Sequence, residues 1–243
     1  MNGKRLGDKI SISGSYQYDA FYNGHRMQRF WHYTRLQESE TALHIIPADI
    51  ILDIGCGSGL LASFIASKND VTVLGTDANK SAIDFCKSAY QFNNLSFEEK
   101  TTDEISFEEN SFNKVALLEV IEHITNEQAV KLLENIQHIL KPGGLLVVST
   151  PNKRSLWPVI EFFMDTLKLA PKMNRDQHEI LYTSKQLNKL ATYAGLKCVT
   201  EKTILFLSPW AALFGRKPGL YIHSLEKKWN CRLGSLLLHT FQK

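Results

Sequence analysis

Residues 49–68 read DIILDIGCGSGLLASFIASK, and the fold is decided there. Ile50, Ile51, Leu52 and Ile54 form a short apolar run of the kind a buried strand requires. Gly55, Gly57 and Gly59 follow, and then Leu60, Leu61, Phe64 and Ile65 recur at helical spacing. Strand, glycine turn and helix in direct succession is how an α/β fold builds a nucleotide pocket. Glycine lets the backbone take positive φ and lets a ligand come close. The helix start adds N–H groups that have no partner inside the helix.

A dinucleotide turn wants a third glycine where this chain has Leu60. The spacing here is Gly-x-Gly-x-Gly, and Asp53 stands two residues before the first glycine. A carboxylate so close to the turn repels a pyrophosphate and suits a ligand that carries positive charge. A second apolar run over 71–74 leads into Gly75, Thr76 and Asp77. An acid at the end of the second strand is placed to accept hydrogen bonds from both hydroxyls of a ribose. The ligand that fits has a ribose, no phosphate and a cationic amino-acid tail, which describes S-adenosylmethionine. The competing reading is a tight turn flanked by two solvated aspartates; the agreement of three independent features weighs against it.

The whole chain is consistent with one such domain. It has 243 residues, enough for a single large α/β unit with additions and short for two full domains. A net charge of +3 is too mild to argue for a nucleic-acid partner. Cys56, Cys86, Cys198 and Cys231 are far apart and form no CxxC pair, so they read as reduced thiols of a cytoplasmic protein. The first residues lack the apolar core of a signal peptide, and no apolar run is long enough to span a bilayer.

Before the first strand, residues 15–46 carry Tyr16, Tyr18, Phe21, Tyr22, Phe30, Trp31 and Tyr33, with Arg26, Arg29 and Arg35 among them. We expect one or two helices here, forming an N-terminal cap segment over 1–46 ahead of the main domain at 47–243. Their aromatics either cover a ligand pocket or anchor the segment to the core. An arginine from this stretch can pair with the carboxylate of the donor's methionine tail, because the guanidinium fork matches a carboxylate.

After Asp77 the pattern predicts a helix over 80–92, a strand over 95–98, and a loop at 101–104. That loop faces the base of a bound nucleoside in this architecture, where Asp103 or a nearby backbone group can receive the adenine amino group; a plain acidic surface loop is the alternative. A fourth strand is expected over 114–118, followed by Glu119, Val120, Ile121, Glu122 and His123. Thr125 and Gln128 make a capping box for a helix running to about residue 140, which Lys141-Pro142-Gly143-Gly144 ends. A fifth strand occupies 145–149. This order implies a parallel sheet with crossover helices, whose ligands sit at the carboxyl ends of the strands.

With LDIGCGSG at 52–59, Asp77, EVIEHI at 119–124 and LKPGGLLVVSTPN at 140–152, the chain resembles the class I S-adenosylmethionine-dependent methyltransferases. It is further similar to the O-methyltransferases of ubiquinone biosynthesis, through TTDE at 101–104, ExxEH at 119–123, STPN at 149–152, APK at 170–172 and LLLHTFQK at 236–243. The resemblance implies a Rossmann-like, seven-stranded, mostly parallel sheet with helices on both faces. It also implies a last strand near 235–241 running antiparallel beside a sixth near 197–203. Arg35, Gly55, Asp77 and Leu118 are then the implied donor contacts, in addition to Asp53, Gly57, Gly59 and Asp103. Residues 204–234 and the N-terminal aromatic segment do not match that family, and these are the regions that choose an acceptor.

Methyl transfer is an in-line displacement in which the protein aligns two substrates. A hydroxyl acceptor needs a base, and His123 and His178 are the candidates; each has the alternative of a purely structural role. Glu119, Glu122 and His123, at i, i+3 and i+4, would share one face of a helical turn and suit Mg²⁺ or a similar ion. The alternative there is a capping and packing pair. Residues 157–173 are apolar nearly all round, as in a buried or lid helix within an insertion at 152–182, or a helix lying at a membrane surface. The sequence reading is therefore a methyltransferase acting on oxygen of a small or lipophilic, quinol- or catechol-like acceptor, cytoplasmic or peripheral at the membrane. Nitrogen, carbon or carboxylate acceptors, or a non-catalytic donor-binding protein, are the alternatives.

Overall fold

A computed structural model describes residues 13–68, 70–155, 179–229 and 231–243. The chain opens with helices α1 (Tyr16–Tyr22) and α2 (Arg26–Leu43). It then alternates β1 (Ile50–Ile54), α3 (Leu60–Lys68), β2 (Thr72–Asp77), α4 (Lys80–Ala89), β3 (Leu95–Glu99), β4 (Phe112–Leu118), α5 (Asn126–Ile139) and β5 (Leu140–Pro151). Beyond residue 179 come α6 (Ser184–Tyr193), β6 (Lys197–Ile204), a single turn at Ser208–Ala211, α7 (Arg216–Trp229) and β7 (Leu236–Gln242).

The strands form a seven-stranded sheet in the order β3-β2-β1-β4-β5-β7-β6. β1 to β5 pair in parallel, and β7 inserts antiparallel between β5 and β6. The strand order reverses beside β1, so a crevice opens where β1 and β4 diverge, at their carboxyl ends.

The apolar runs explain the sheet. Ile51, Leu52, Val73, Val115, Leu117, Leu146 and Val148 are wholly buried. Each such side chain contributes about 1.5–3 kcal/mol relative to exposure. Two clusters form, one on each face. On one, Leu132, Leu133 and Ile136 of α5 meet Leu187 and Ala191 of α6. On the other, Leu61 and Ile65 of α3 meet Phe30, Leu36 and Leu43 of α2. The N-terminal helices thus share the core of one face. Among the described residues no helix is long and apolar enough to cross a membrane.

Several boundaries differ from the sequence expectation. α4 stops at Ala89, because Tyr90 is extended, so the helix is shorter than 80–92. The expected loop at 101–104 is a 3₁₀ turn over Thr102–Glu104, closed by a capping box between Thr101 and Glu104. The same Thr-x-x-acid or amide signature is read correctly at Thr125 and Gln128. β5 begins at Leu140, where the backbone turns extended directly after α5 and pairs with Phe112, rather than at residue 145.

Candidate functional site

The glycine turn is held from several sides. Gly55, Gly57 and Gly59 have φ of 70°, 54° and 70°, the left-handed region that glycine alone takes without strain. The N–H groups of Gly55 and Cys56 both donate to the Thr76 carbonyl, at 2.7 and 2.9 Å, which ties the turn to the end of β2. A Cβ on Gly55 would lie 2.2 Å from Val120 Cγ2. Above Gly57 lies the Gln17 side-chain amide of α1, 2.7 Å from where a Cβ would stand. Cys86 of α4 donates its thiol to the Gly57 carbonyl at 3.3 Å.

Asp77 anchors the arrangement. Its Oδ2 accepts the Gly57 N–H and its Oδ1 accepts the Asn79 N–H, both at 2.8 Å. Burial raises its pKa, while those two bonds pull the other way. Each oxygen keeps a lone pair for a further donor.

Asp53 ends β1 one strand away and is 3% exposed. Its Oδ2 has no hydrogen-bond partner among the described residues. Burial pushes its carboxyl up to about 7; Arg35 pulls that value down and Asp77 pushes it further up. Arg35 comes from α2 and stacks on the Trp31 ring, 5.1 Å from its centre. Burial works against its charge, and the fields of Glu119, Asp53, Glu122 and Tyr16 favour it. Arg35 and Asp53, eighteen residues apart in the chain, therefore lie close enough for their charges to act on one another.

β4 ends at Leu118, which is partly buried, and Glu119 follows with φ of 57°. A non-glycine residue in that region is strained by roughly 1–2 kcal/mol. Glu119 Oε1 accepts the Ser149 hydroxyl at 2.6 Å, and Glu122 Oε2 accepts the Thr150 hydroxyl at 2.9 Å. Burial raises the pKa of both carboxyls, with Glu119 and Glu122 interacting.

This corrects the expected metal set. Glu119, Glu122 and His123 do not share a helical face: a 3₁₀ turn begins only at Ile121, and Glu119 lies before it in a left-handed conformation. Among the described residues no three His, Cys, Asp or Glu side chains gather as a metal site. The two glutamates are instead bound to hydroxyls of β5.

Of the remaining expected residues, His123 closes the 3₁₀ turn and is partly buried. Asp103 is exposed on the turn after β3, following Lys100, whose N–H donates to the Asp77 carbonyl at 3.0 Å. His178, and residues 157–173 with their expected lid or membrane helix, lie outside the described residues. The sequence reading missed Gln17 and Val120, which close over the glycine turn. Neither carried a signal of its own: Val120 is one apolar residue within EVIEHI, and Gln17 stands among the aromatics before the first strand.

Residues 51–144 match the family described as methyltransferase domain. Over that stretch the chain is similar to a methyltransferase domain. Two curated relatives are each called "Ubiquinone biosynthesis O-methyltransferase". The one from Dinoroseobacter shibae is 33% identical over 160 residues, covering 64% of this chain and 63% of that protein. The one from Sinorhizobium fredii is 30% identical over 165 residues, covering 66% and 64%. The chain thus spans less than two thirds of the length of these relatives.

The chain also has the fold of solved structures. An S-adenosylmethionine-dependent methyltransferase from Archaeoglobus fulgidus superposes with a TM-score of 0.64 at 18% identity, over 94% of this chain and 99% of that one. Another from Mesorhizobium loti gives 0.61 at 16%, over 85% and 96%. At such identities the likeness is one of fold.

Proposed function

We propose that this chain transfers the methyl group of S-adenosylmethionine to a hydroxyl of a small or lipophilic acceptor. The observation that carries the donor half is the bond from the Gly57 N–H to Asp77 Oδ2 at 2.8 Å. It holds the turn and the ribose-facing carboxylate as one unit, with lone pairs left for the two hydroxyls. The glycines supply the positive-φ turn along which the tail would lie. Asp53, with its unpartnered oxygen, suits the ammonium group, and Arg35 suits the carboxylate beside it. Leu118 packs against the nucleoside, and Asp103 or its neighbours meet the adenine.

The donor supplies a carbon already activated by its sulfonium. What remains for the chain is to hold the acceptor in line, exclude water and take a proton. His123, just past β4, is our candidate for that base. The segment 1–46 and the insertion at 152–182 are the parts we assign to acceptor choice. The likeness to O-methyltransferases supports oxygen as the accepting atom. An amine is the second reading, favoured by the buried Oε1 of Glu122, which has no partner among the described residues.

Calorimetry with S-adenosylmethionine and with NAD tests the donor: no heat with the former at millimolar concentration ends this reading. A screen for S-adenosylhomocysteine release over quinols, catechols, amines and carboxylic acids tests the acceptor. Turnover confined to amines overturns the hydroxyl assignment.

A further inference from the structure

Helices α2 and α7 meet outside the donor pocket and bury a charged cluster between them. A Cβ on Gly219 would come 2.7 Å from Phe30 Cε2, so the two helices approach closely there. The Arg216 guanidinium lies 4.2 Å over the Tyr33 ring. Farther along, His223 Nε2 stands 3.1 Å from Glu38 Oε1, and Lys227 Nζ donates to the same oxygen at 2.8 Å. His223 Nδ1 is 3.5 Å from Glu226 Oε2. Glu226 is fixed in turn: its Oε1 accepts the N–H groups of Leu207 and Ser208, and its Oε2 accepts the Ser208 hydroxyl at 2.8 Å. Glu38, His223 and Glu226 are all buried.

The charges facing His223 are therefore Glu38 from α2, with Lys227 on it, and Glu226 from its own helix; the turn at Ser208–Ala211 adds only neutral donors. A neutral imidazole donates through one nitrogen, whereas the imidazolium donates through both. With His223 charged, the two carboxylates, the imidazolium and Lys227 sum to zero. Without its proton, a buried negative charge is left over.

α2 also carries Arg35, one turn before Glu38. We infer that Glu38, His223 and Glu226 form a latch in which the imidazolium bridges α2 to α7 and so positions Arg35 over the donor's carboxylate. This rests on the donor reading above. Burial opposes the charged imidazole, but Glu226 and Glu38 together hold its pKa above the ordinary histidine value. The latch is thus closed at pH 6.5 and opens as pH rises through that raised value. His223 is a positioning residue, and its signature is a pH dependence that packing alone would not give.

The test is the Kd for S-adenosylhomocysteine, measured by calorimetry on the full chain between pH 6.5 and 9, for the wild type, His223→Gln and Glu38→Gln. Comparing proteins at each pH cancels the titrations of the ligand and of Asp53, which they share. At pH 6.5 each variant should bind roughly five- to tenfold more weakly, as expected when α2 holds its binding position only part of the time. As pH rises towards 9 the ratio should fall, towards one for His223→Gln because the wild type is losing the imidazolium too, and only in part for Glu38→Gln, which also lacks the acceptor of Lys227. A ratio of one at pH 6.5, or one that stays constant with pH, overturns the inference. Melting curves show whether each variant is folded, and Glu38→Gln carries the same readout if His223→Gln is not. A wild type that binds no ligand at any pH removes the donor reading together with the latch; a binding wild type with indistinguishable variants removes the latch alone.

Discussion

Replacing Asp77 with alanine tests the donor pocket most directly. Asp77 lies at the end of β2, and each of its oxygens already accepts one backbone N–H at 2.8 Å. Each can accept one ribose hydroxyl as well. A hydrogen bond to a charged group contributes about 1.5–3 kcal/mol, so losing two weakens donor binding by at least about 3 kcal/mol. That is roughly 150-fold in Kd. Alanine also leaves the Gly57 N–H without its acceptor and loosens the turn, at a cost of about 1–3 kcal/mol for a buried donor. Folding is partly compensated, because burial raises the Asp77 pKa and its charge is carried at a cost. The loss should therefore appear in affinity far more than in melting temperature. Asp77→Asn, which keeps one acceptor oxygen but no charge, should fall between alanine and the wild type. Calorimetry with S-adenosylhomocysteine, beside a thermal melt, reads both quantities. Alanine binding within about threefold of the wild type, with an unchanged melt, would refute the assignment of Asp77 to the ribose.

Three more expectations concern the same pocket. Arg35→Met should weaken S-adenosylmethionine by at least about tenfold, the scale of a lost charge-assisted hydrogen bond, yet leave a donor analogue lacking the carboxylate unaffected; equal losses for both ligands would show that Arg35 meets something else. Asp53 titrates in the folded protein at about 7, above its unfolded value, so its charged form costs stability. The protonated carboxyl therefore contributes stability that is fully present below about pH 4 and is lost as pH rises through about 7. Asp53→Asn should accordingly be no less stable than the wild type at pH 8, and the wild type's advantage in donor affinity over this variant should grow between pH 6 and 8; an advantage that stays constant sinks the ammonium assignment. Gly55→Ala forces a Cβ within 2.2 Å of Val120 Cγ2 at a φ of 70°. Left-handed strain alone costs about 1–2 kcal/mol, so the melting temperature should drop by several degrees; a companion Val120→Ala should recover part of that loss, and no recovery would mean the contact is not the cause.

Residues 49–68 determined much by themselves. Apolar runs of strand length, glycines at fixed offsets and an acid at each strand end are local features, so the strand–turn–helix and the succession to β5 were legible in them. The capping box at Thr125 was legible for the same reason. Where the reading went astray, a non-local partner decided. Glu119, Glu122 and His123 have helical spacing, but hydroxyls of β5 hold the two glutamates and the backbone at Glu119 turns left-handed. Spacing predicts a shared face only when the backbone is helical, and tertiary hydrogen bonds set that backbone. Gln17 over Gly57, the interaction of the Arg35 and Asp53 charges, and Glu38 bound to His223, 185 residues farther on, are likewise invisible in a linear pattern. Each joins residues whose separation only the folded sheet and its packed helices close. The sequence specified the turn and the two acids that we propose frame a donor; the tertiary structure brought α1 and α2 to that turn and packed α7 against α2.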